Sequence, residues 1–283
     1  MYGVTGASGQ LGRLVLKALL ETVAPDRLVA LVRDPDKLAD VAARGVAVRH
    51  FDYDHLAEPT AVLAGIDRLL LISSSEIGRR LPQHQAVIDA AVAAHVGFIA
   101  YTSILHADSN PMLLAEEHRA TEAALKASGL AHALLRNGWY TENYLGQVQV
   151  VVEHGELIGS AGEGRISAAA RADYAVAASA VLIGAPETRI YELVGDRAFT
   201  LTQLAAAIAG ASGKPVVYRN LPEAAYREML ESTGLPAPIA NALADSDVKA
   251  AEGVLFDDSG VLSALIGRAT TPMEESVKFA LRA

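Results

Sequence analysis

The sequence contains no cysteine among its 283 residues. This absence excludes disulfide bonds, thiolate metal ligands, a thiol nucleophile and a redox-active dithiol. It is consistent with a reducing compartment. The first residues also lack the basic segment and apolar stretch of a secretory signal, so we expect a cytoplasmic protein.

Positive charge and long hydrophobic runs are scarce as well. The chain has 24 Lys and Arg against 33 Asp and Glu, which gives a net charge of −9. A surface of that sign repels phosphate backbones, so we expect no nucleic-acid partner. The longest uncharged apolar stretch, near residues 175–185, is far shorter than the roughly 20 residues that span a bilayer. We therefore expect no membrane association.

The eight histidines are not arranged as metal ligands. His118 and Glu122 are four residues apart, a spacing more typical of a contact on a helix surface than of a metal site. No Ser stands in a G-x-S-x-G pattern, so a hydrolase is not supported either. The sequence predicts no metal site.

Six short apolar runs alternate with helical patterns in the first half of the chain. They are Tyr2–Thr5, Leu28–Val32, Val46–Phe51, Arg68–Ser73, Phe98–Ser103 and Ala131–Arg136. Repeated strand–helix–strand units predict right-handed crossovers and a parallel sheet. We therefore predict an α/β protein with a Rossmann-type doubly wound parallel sheet and a smaller C-terminal lobe. Ligands of such sheets bind beyond the carboxyl ends of the strands.

A glycine-rich turn, Gly6-Ala7-Ser8-Gly9-Gln10-Leu11-Gly12, follows the first predicted strand and precedes a helix. In a dinucleotide-binding turn the three glycines allow a tight turn, close approach of the backbone to the pyrophosphate, and close packing of helix and strand. The helix N-terminus favours a phosphate. Because the turn stands at the head of a βαβ series, it predicts a nucleotide site.

The regular alternation ends after residue 137. We predict a nucleotide-binding domain over residues 1–136, completed by part of 166–195. Residues 137–283 are predicted to form mainly a smaller substrate lobe.

Arg33 stands at the tip of the second predicted strand, where NAD-binding proteins usually carry an acid that holds the adenosine ribose. A guanidinium pairs with a phosphate through two hydrogen bonds. Arg33 therefore predicts binding of the 2′-phosphate of NADPH, the alternative being a solvated surface arginine.

Polar residues also follow the third and fourth predicted strands. Asp52 is predicted to accept a hydrogen bond from the adenine amino group. Ser73, Ser74 and Ser75 are predicted to lie along the pyrophosphate and ribose, although three hydroxyls could equally cap a helix.

The segments VTGASGQLG, LVALVRDPDKL, LLLISSSEIGRRLPQH, FIAYTSILHAD and LLRNGWYTENY resemble the NmrA-like branch of the atypical short-chain dehydrogenase/reductase superfamily. Within that branch the chain is most similar to the type 2 NAD(P)H:quinone oxidoreductases, and the triphenylmethane-dye reductases are close relatives. The resemblance implies NADPH contacts from Gly6 to Leu11, from Arg33 and from Ser73 to Ser75. It also implies contacts around the nicotinamide from Asn137, Gly138, Trp139, Tyr140, Thr141 and Glu142. Arg171 matches a further arginine on the cofactor side, the alternative being an ion pair with Asp173 or Glu163.

The chain departs from ordinary short-chain dehydrogenases in its catalytic pair. Where these enzymes carry Tyr-x-x-x-Lys, the helix after the fifth strand has Leu114 and His118. The acid for alcohol–ketone chemistry is therefore missing. A quinone needs less assistance, because it is electrophilic and water can protonate its reduced oxygens. Positioning the nicotinamide close to it then supplies most of the catalysis.

We therefore predict an enzyme that uses NADPH to deliver hydride to a small-molecule quinone. Tyr140 or Asn143 is predicted to supply a hydrogen bond to a quinone oxygen, with water as the alternative donor. The rival hypotheses are an NADP(H)-sensing regulator without turnover and a reductase of cationic triphenylmethane dyes. A homodimer is left open.

Overall fold

The computed structural model describes residues 1–55 and 59–282. The chain forms two compact units. The first comprises Met1–Ala107, Glu117–Asn137 and Tyr174–Glu192, and the second comprises Asp108–Glu116, Gly138–Asp173 and Leu193–Ala283. Each unit therefore contains segments that are distant in sequence.

The strands of the described residues are β1 (Tyr2–Val4), β2 (Leu28–Val32), β3 (Ala47–His50), β4 (Arg68–Leu71), β5 (Phe98–Ile104), β6 (Ala131–Asn137), β7 (Glu156–Gly159), β8 (Arg189–Leu193) and β9 (Val217–Asn220). The helices are α1 (Gln10–Leu19), α2 (Ala39–Ala42), α3 (Pro59–Val62), α4 (Arg80–Ala93), α5 (Leu113–Ala127), α6 (Glu142–Leu145), α7 (Val148–His154), α8 (Arg171–Ile183), α9 (Leu201–Ser212), α10 (Glu223–Ser232), α11 (Ala237–Ala251), α12 (Val261–Ile266) and α13 (Met273–Ala280). No helix in this part of the chain is long and apolar enough to cross a membrane.

The first unit is built on a seven-stranded sheet of order β3-β2-β1-β4-β5-β6-β8. The six strands β1 to β6 pair in parallel. Every residue of β2 and of β5 is buried, as expected for parallel strands covered on both faces. The predicted Rossmann-type doubly wound sheet is confirmed.

Helix α1 shows how the sequence directs packing in this unit. Its buried residues include Leu11, Val15, Leu16 and Leu19, whose spacing places them along one face of a helix.

The strand order reverses direction at β1, with β2 on one side and β4 on the other. The loops after β1 and β4 therefore leave the sheet at its switch point, where this fold binds ligands.

The second unit contains a two-stranded parallel sheet in which β7 pairs with β9, from Glu156 opposite Val217 to Gly159 opposite Asn220. Helix α9 begins with a capping box, because the Thr200 hydroxyl accepts from the Gln203 amide and the Gln203 side chain accepts from the Thr200 amide.

Candidate cofactor and acceptor sites

The glycine-rich turn folds tightly between β1 and α1. Gly6 has a φ of +56°, a left-handed conformation that glycine adopts without a steric cost. The Gly9 amide donates to the Gly6 carbonyl at 2.9 Å. A Cβ on Gly12 would lie 2.4 Å from the Gly6 carbonyl oxygen, so α1 starts against the backbone of the turn. Because no side chain caps α1 at Gly9, its first amides remain available to an anion.

A cavity of about 300 Å³ lies in the first unit, beyond the carboxyl ends of β1 to β4. Ten of the residues predicted to contact the cofactor line it: Gly6, Ser8, Gly9, Gln10, Leu11, Arg33, Asp52, Ser73, Ser74 and Ser75. Ala7 is fully buried, and its amide donates to the Leu31 carbonyl. The structure thus brings residues from four loops to one cavity.

Arg33 lies at the cavity in an ion pair that the sequence did not predict. Its Nη1 is 3.0 Å from Oε1 of Glu76, and 68% of the Arg33 side chain is exposed. Glu76 lines the same cavity and also pairs with Arg79 at 3.2 Å. The guanidinium of Arg33 is therefore present where a phosphate could bind, and a carboxylate competes for it.

The serine turn after β4 is held by buried groups of the neighbouring elements. The Ser73 amide donates to Oγ1 of Thr102, and the Ser74 amide donates to Nε2 of His84, both at 2.9 Å. Burial and the nearby Arg80 lower the pKa of His84 to about 3. His84 is therefore neutral at physiological pH, and its Nδ1 donates to Oγ1 of Thr121 at 2.9 Å. These contacts fix the backbone of the turn.

The turn after β3 contributes Asp52 to the cavity. The Asp54 amide donates to Asp52 Oδ1 at 3.1 Å, and this bond is the main reason why the pKa of Asp52 is lowered. Tyr53 also lines the cavity, but its hydroxyl lies 2.6 Å from Oγ1 of Thr5. Asp52 is therefore a charged acceptor, whereas Tyr53 connects the turn to Thr5, the residue that follows β1.

The residues predicted to contact the nicotinamide side of the cofactor and the acceptor, apart from Asn137, lie in the second unit. The Arg171 guanidinium stands over the Tyr140 ring at 4.7 Å, and its Nη2 donates to Oδ1 of Asn143 at 3.4 Å. The Arg171 amide donates to both carboxylate oxygens of Glu142, at 2.9 and 3.0 Å. Four predicted site residues thus form one cluster in which a cation stacks on an aromatic ring.

The other residues predicted to contact the nicotinamide make main-chain hydrogen bonds or are buried; they are Asn137, Gly138, Trp139 and Thr141. Asn137 ends β6 in the first unit, and its carbonyl accepts from the Leu105 amide. Trp139 and Thr141 are buried. Gly138 donates to the Leu193 carbonyl at 2.7 Å.

The alternative ion pair of Arg171 with Asp173 or Glu163 does not occur among the described residues. Asp173 pairs instead with Arg268 at 2.6 Å and accepts from the Thr271 amide. The guanidinium of Arg171 is therefore directed to Tyr140 and Asn143.

His118, at the position of the missing lysine, is buried. Its Nδ1 is 2.7 Å from the Tyr101 hydroxyl, and its Nε2 is 3.5 Å from Nη1 of Arg80. Burial, with a contribution from Arg80, holds the pKa of His118 well below its usual value. His118 is thus a neutral member of a buried hydrogen-bond network.

A cluster of three charged residues near the end of β6, of which Arg136 and Glu122 are buried and Glu192 is partly exposed, was not predicted from the sequence. Arg136 pairs with Glu122 and with Glu192, both at 2.8 Å. Burial opposes its charge, but the two carboxylates raise the pKa of Arg136. Ser103 donates to Glu122 at 2.7 Å, so this hydroxyl is part of a structural cluster.

Two further features lie outside the predicted site. Within the described residues, no group of three or more His, Asp and Glu side chains could hold a metal ion. A second cavity of about 470 Å³ lies in the second unit, and its lining includes Arg197, Phe199 and Met273 but none of the predicted site residues.

The parallel sheet, the glycine-rich turn at its switch point and the arginine at the tip of β2 define a dinucleotide-binding Rossmann protein. A family model described as NAD(P)H-binding matches residues 6–180. Quinone oxidoreductase 2 of Escherichia coli (strain K12) is 54% identical over 278 residues, which cover 98% of this chain and 97% of that protein. The chain belongs to this NAD(P)H-binding family, and the similarity to the quinone oxidoreductases that the motifs indicate is confirmed.

Two solved structures extend the comparison. The NADPH-dependent quinone oxidoreductase of Escherichia coli in complex with NADPH has 53% sequence identity and a TM-score of 0.96, covering 99% of this chain and 100% of that one. The triphenylmethane reductase of Citrobacter sp. in complex with NADP(H) has 34% identity and a TM-score of 0.94, with the same coverage. The similarity extends over nearly the full length of all three chains.

Proposed function

We propose that this protein is an NADPH-dependent oxidoreductase that reduces quinones by two electrons. The observation that carries the proposal is the cavity of the first unit, in which the glycine-rich turn and Arg33 stand together. The 54% identity to a protein named quinone oxidoreductase 2 supports the choice of acceptor.

The residues of the cavity fit NADPH. The amides that begin α1 suit the pyrophosphate, and the bare backbone at Gly9 leaves room for its approach. A side chain at this position would also be crowded by the turn itself, because a Cβ at Gly9 would lie 3.2 Å from the Gly6 carbonyl oxygen. Arg33 suits the 2′-phosphate. When bound, NADPH supplies a hydride, and the quinone takes up this hydride and one proton to become a hydroquinone.

We infer that Tyr140 and Asn143 contact the acceptor. The Tyr140 ring offers an apolar face to a planar molecule, and its hydroxyl and the Asn143 amide can donate to a quinone oxygen. Arg171, stacked on Tyr140, adds a positive charge that favours negative charge on the reduced oxygen. The same charge disfavours a cationic dye, which supports the quinone over the triphenylmethane alternative. Asn137 to Glu142 remain the proposed contacts of the nicotinamide.

The test is the oxidation of NADPH, followed by its absorbance, with a naphthoquinone, with a triarylmethane dye and without an acceptor. We expect turnover with the naphthoquinone at a kcat/KM well above that for the dye. Faster reduction of the dye would favour the dye-reductase hypothesis. Tight NADPH binding without turnover of either acceptor would favour the sensing hypothesis.

We extend the proposal to a cytoplasmic location, where NADPH is maintained as a reductant, and cell fractionation would test it. The homodimer is left open, and sedimentation at several protein concentrations would test it.

A further inference from the structure

Gln83 lines the cavity of the first unit from α4, and only 3% of the residue is exposed. Its Nε2 donates to both carboxylate oxygens of Asp54, at 3.2 and 3.1 Å. It also donates to Oε2 of Glu76 at 3.1 Å. An amide nitrogen between two carboxylates is the favourable orientation, because the carbonyl oxygen would be repelled there. The carboxylates therefore fix which end of the amide carries the oxygen.

The carbonyl oxygen of Gln83 is a buried acceptor without a donor among the described residues. Leaving such an acceptor unpaired is unfavourable, and buried polar groups nearly always have a partner. Because Asp54 and Glu76 both hold the amide nitrogen, Oε1 cannot exchange places with Nε2 to find one. A ligand of the cavity with a suitable donor would satisfy it.

The position of Gln83 indicates which part of a dinucleotide supplies that donor. Asp54 accepts hydrogen bonds from the side-chain amide of Gln83 and belongs to the turn after β3. Strand β3 is the edge strand of the sheet, next to β2. In this fold the adenosine half of the dinucleotide lies toward β2 and β3, and the pyrophosphate lies at the turn after β1. Apolar residues also line the cavity: Leu31, Val32, Phe51 and Ile72.

We propose that Oε1 of Gln83 accepts a hydrogen bond from the exocyclic 6-amino group of adenine, so that Gln83 selects adenine over a 6-oxo purine. The amino group has two hydrogens, and Asp52 on the same cavity can accept the other. A 6-oxo purine places a carbonyl oxygen opposite Oε1, where two acceptors repel each other. This inference rests on the proposed binding of NADPH.

The test compares NADPH with its hypoxanthine analogue, in which oxygen replaces the 6-amino group, by calorimetric titration of the whole protein. The wild type is expected to bind NADPH about tenfold more tightly than the analogue, the effect of about one hydrogen bond. Gln83→Met, similar in size but without the carbonyl, is expected to lower this preference by about threefold or more, and Asp52 accounts for the part that remains. Gln83→Leu is a second variant with the same loss.

Gln85→Met is the matched control, because Gln85 lies on the same helix, donates to Asp89 and does not line the cavity. It should keep the wild-type preference. A wild type that binds both dinucleotides equally overturns the inference and leaves the proposed function standing. Retention of the full preference by folded Gln83→Met or Gln83→Leu also overturns it, since another residue then selects the base. A wild type that binds neither dinucleotide overturns the proposed function together with the inference.

Discussion

Replacing Arg33 by alanine should remove most of the preference for NADPH over NADH. A charge-assisted contact with a phosphate contributes about 1.5–3 kcal/mol. In the structure, however, Arg33 is mostly exposed and already paired with Glu76 at 3.0 Å. Giving up an exposed ion pair costs about 0.2–1 kcal/mol, so the net gain from the 2′-phosphate is about 0.5–2.8 kcal/mol. Arg33→Ala should therefore weaken NADPH binding by roughly 2- to 100-fold.

The assay is the titration of each variant with NADPH and with NADH. The affinity of Arg33→Ala for NADH should stay nearly unchanged, because NADH has no 2′-phosphate. Glu76→Gln should act in the opposite direction and tighten NADPH binding by up to about fivefold, since it releases Arg33 from its competing partner. Asp40→Asn is the control, because it removes the same charge from an exposed pair with Arg13 whose residues do not line the cavity.

Two results would refute this reasoning. Equal affinity of the wild type for both dinucleotides would mean that Arg33 does not bind the 2′-phosphate. Equal weakening of NADH and NADPH by Arg33→Ala would mean that the side chain supports the cavity as a whole.

Four further predictions concern other parts of the molecule. Gly9→Val should abolish NADPH binding in calorimetry with only a modest fall in melting temperature, because its Cβ would lie 3.2 Å from the Gly6 carbonyl oxygen; retained affinity would make the turn purely structural. His118→Ala should lower the melting temperature because the Tyr101 hydroxyl loses its buried partner, while kcat stays within severalfold; a thousandfold loss of kcat would assign His118 a chemical role. Tyr140→Ala should lower kcat/KM for the quinone by an amount equivalent to about 1–3 kcal/mol of transition-state stabilisation, and Tyr140→Phe should lower it by less. A change in melting temperature with unchanged kinetics would contradict an acceptor contact. Burial raises the pKa of Asp247 to about 6 from 3.8, so the folded state binds the extra proton and loses up to about 3 kcal/mol of stability as pH rises from about 4 to about 6. In denaturant titrations the free energy of unfolding of Asp247→Asn should not show this loss between about pH 4 and about pH 6. An identical pH dependence in wild type and variant would contradict the prediction.

The fold could be predicted because its strands are continuous apolar runs punctuated by turn residues. LVALV at 28–32 is buried at every position, and such a run is recognisable without any knowledge of its neighbours. The boundaries differ by one or two residues, as at β1, which ends at Val4 where the sequence suggested Thr5. Thr5 is instead buried, and its hydroxyl accepts from the Ile72 amide.

The cavity could be predicted in part, for a related reason. Arg33, Asp52 and Ser73 each follow a strand, and parallel strands bring their carboxyl ends to one edge. Glu76 and Gln83 lie beyond the serine turn and on α4, so their approach to the cavity depends on the direction in which the helix packs. The sequence SSSEIGRRLPQ shows a carboxylate and an amide side chain here, but no pattern in it predicts that Glu76 pairs with Arg33 or that Gln83 donates to Asp54.

The discontinuity of the first unit has a consequence during synthesis. Strand β8 covers the edge of β6 but begins at residue 189, long after β6 ends at Asn137. At about 5–20 residues per second, the ribosome completes β6 several seconds before β8. During that interval the nascent sheet has an open edge of seven residues, and open edges invite pairing with other chains. A recombinant fragment that stops at Asn137 would keep this edge open permanently, so a soluble version of the first unit must carry residues 174–192 as well.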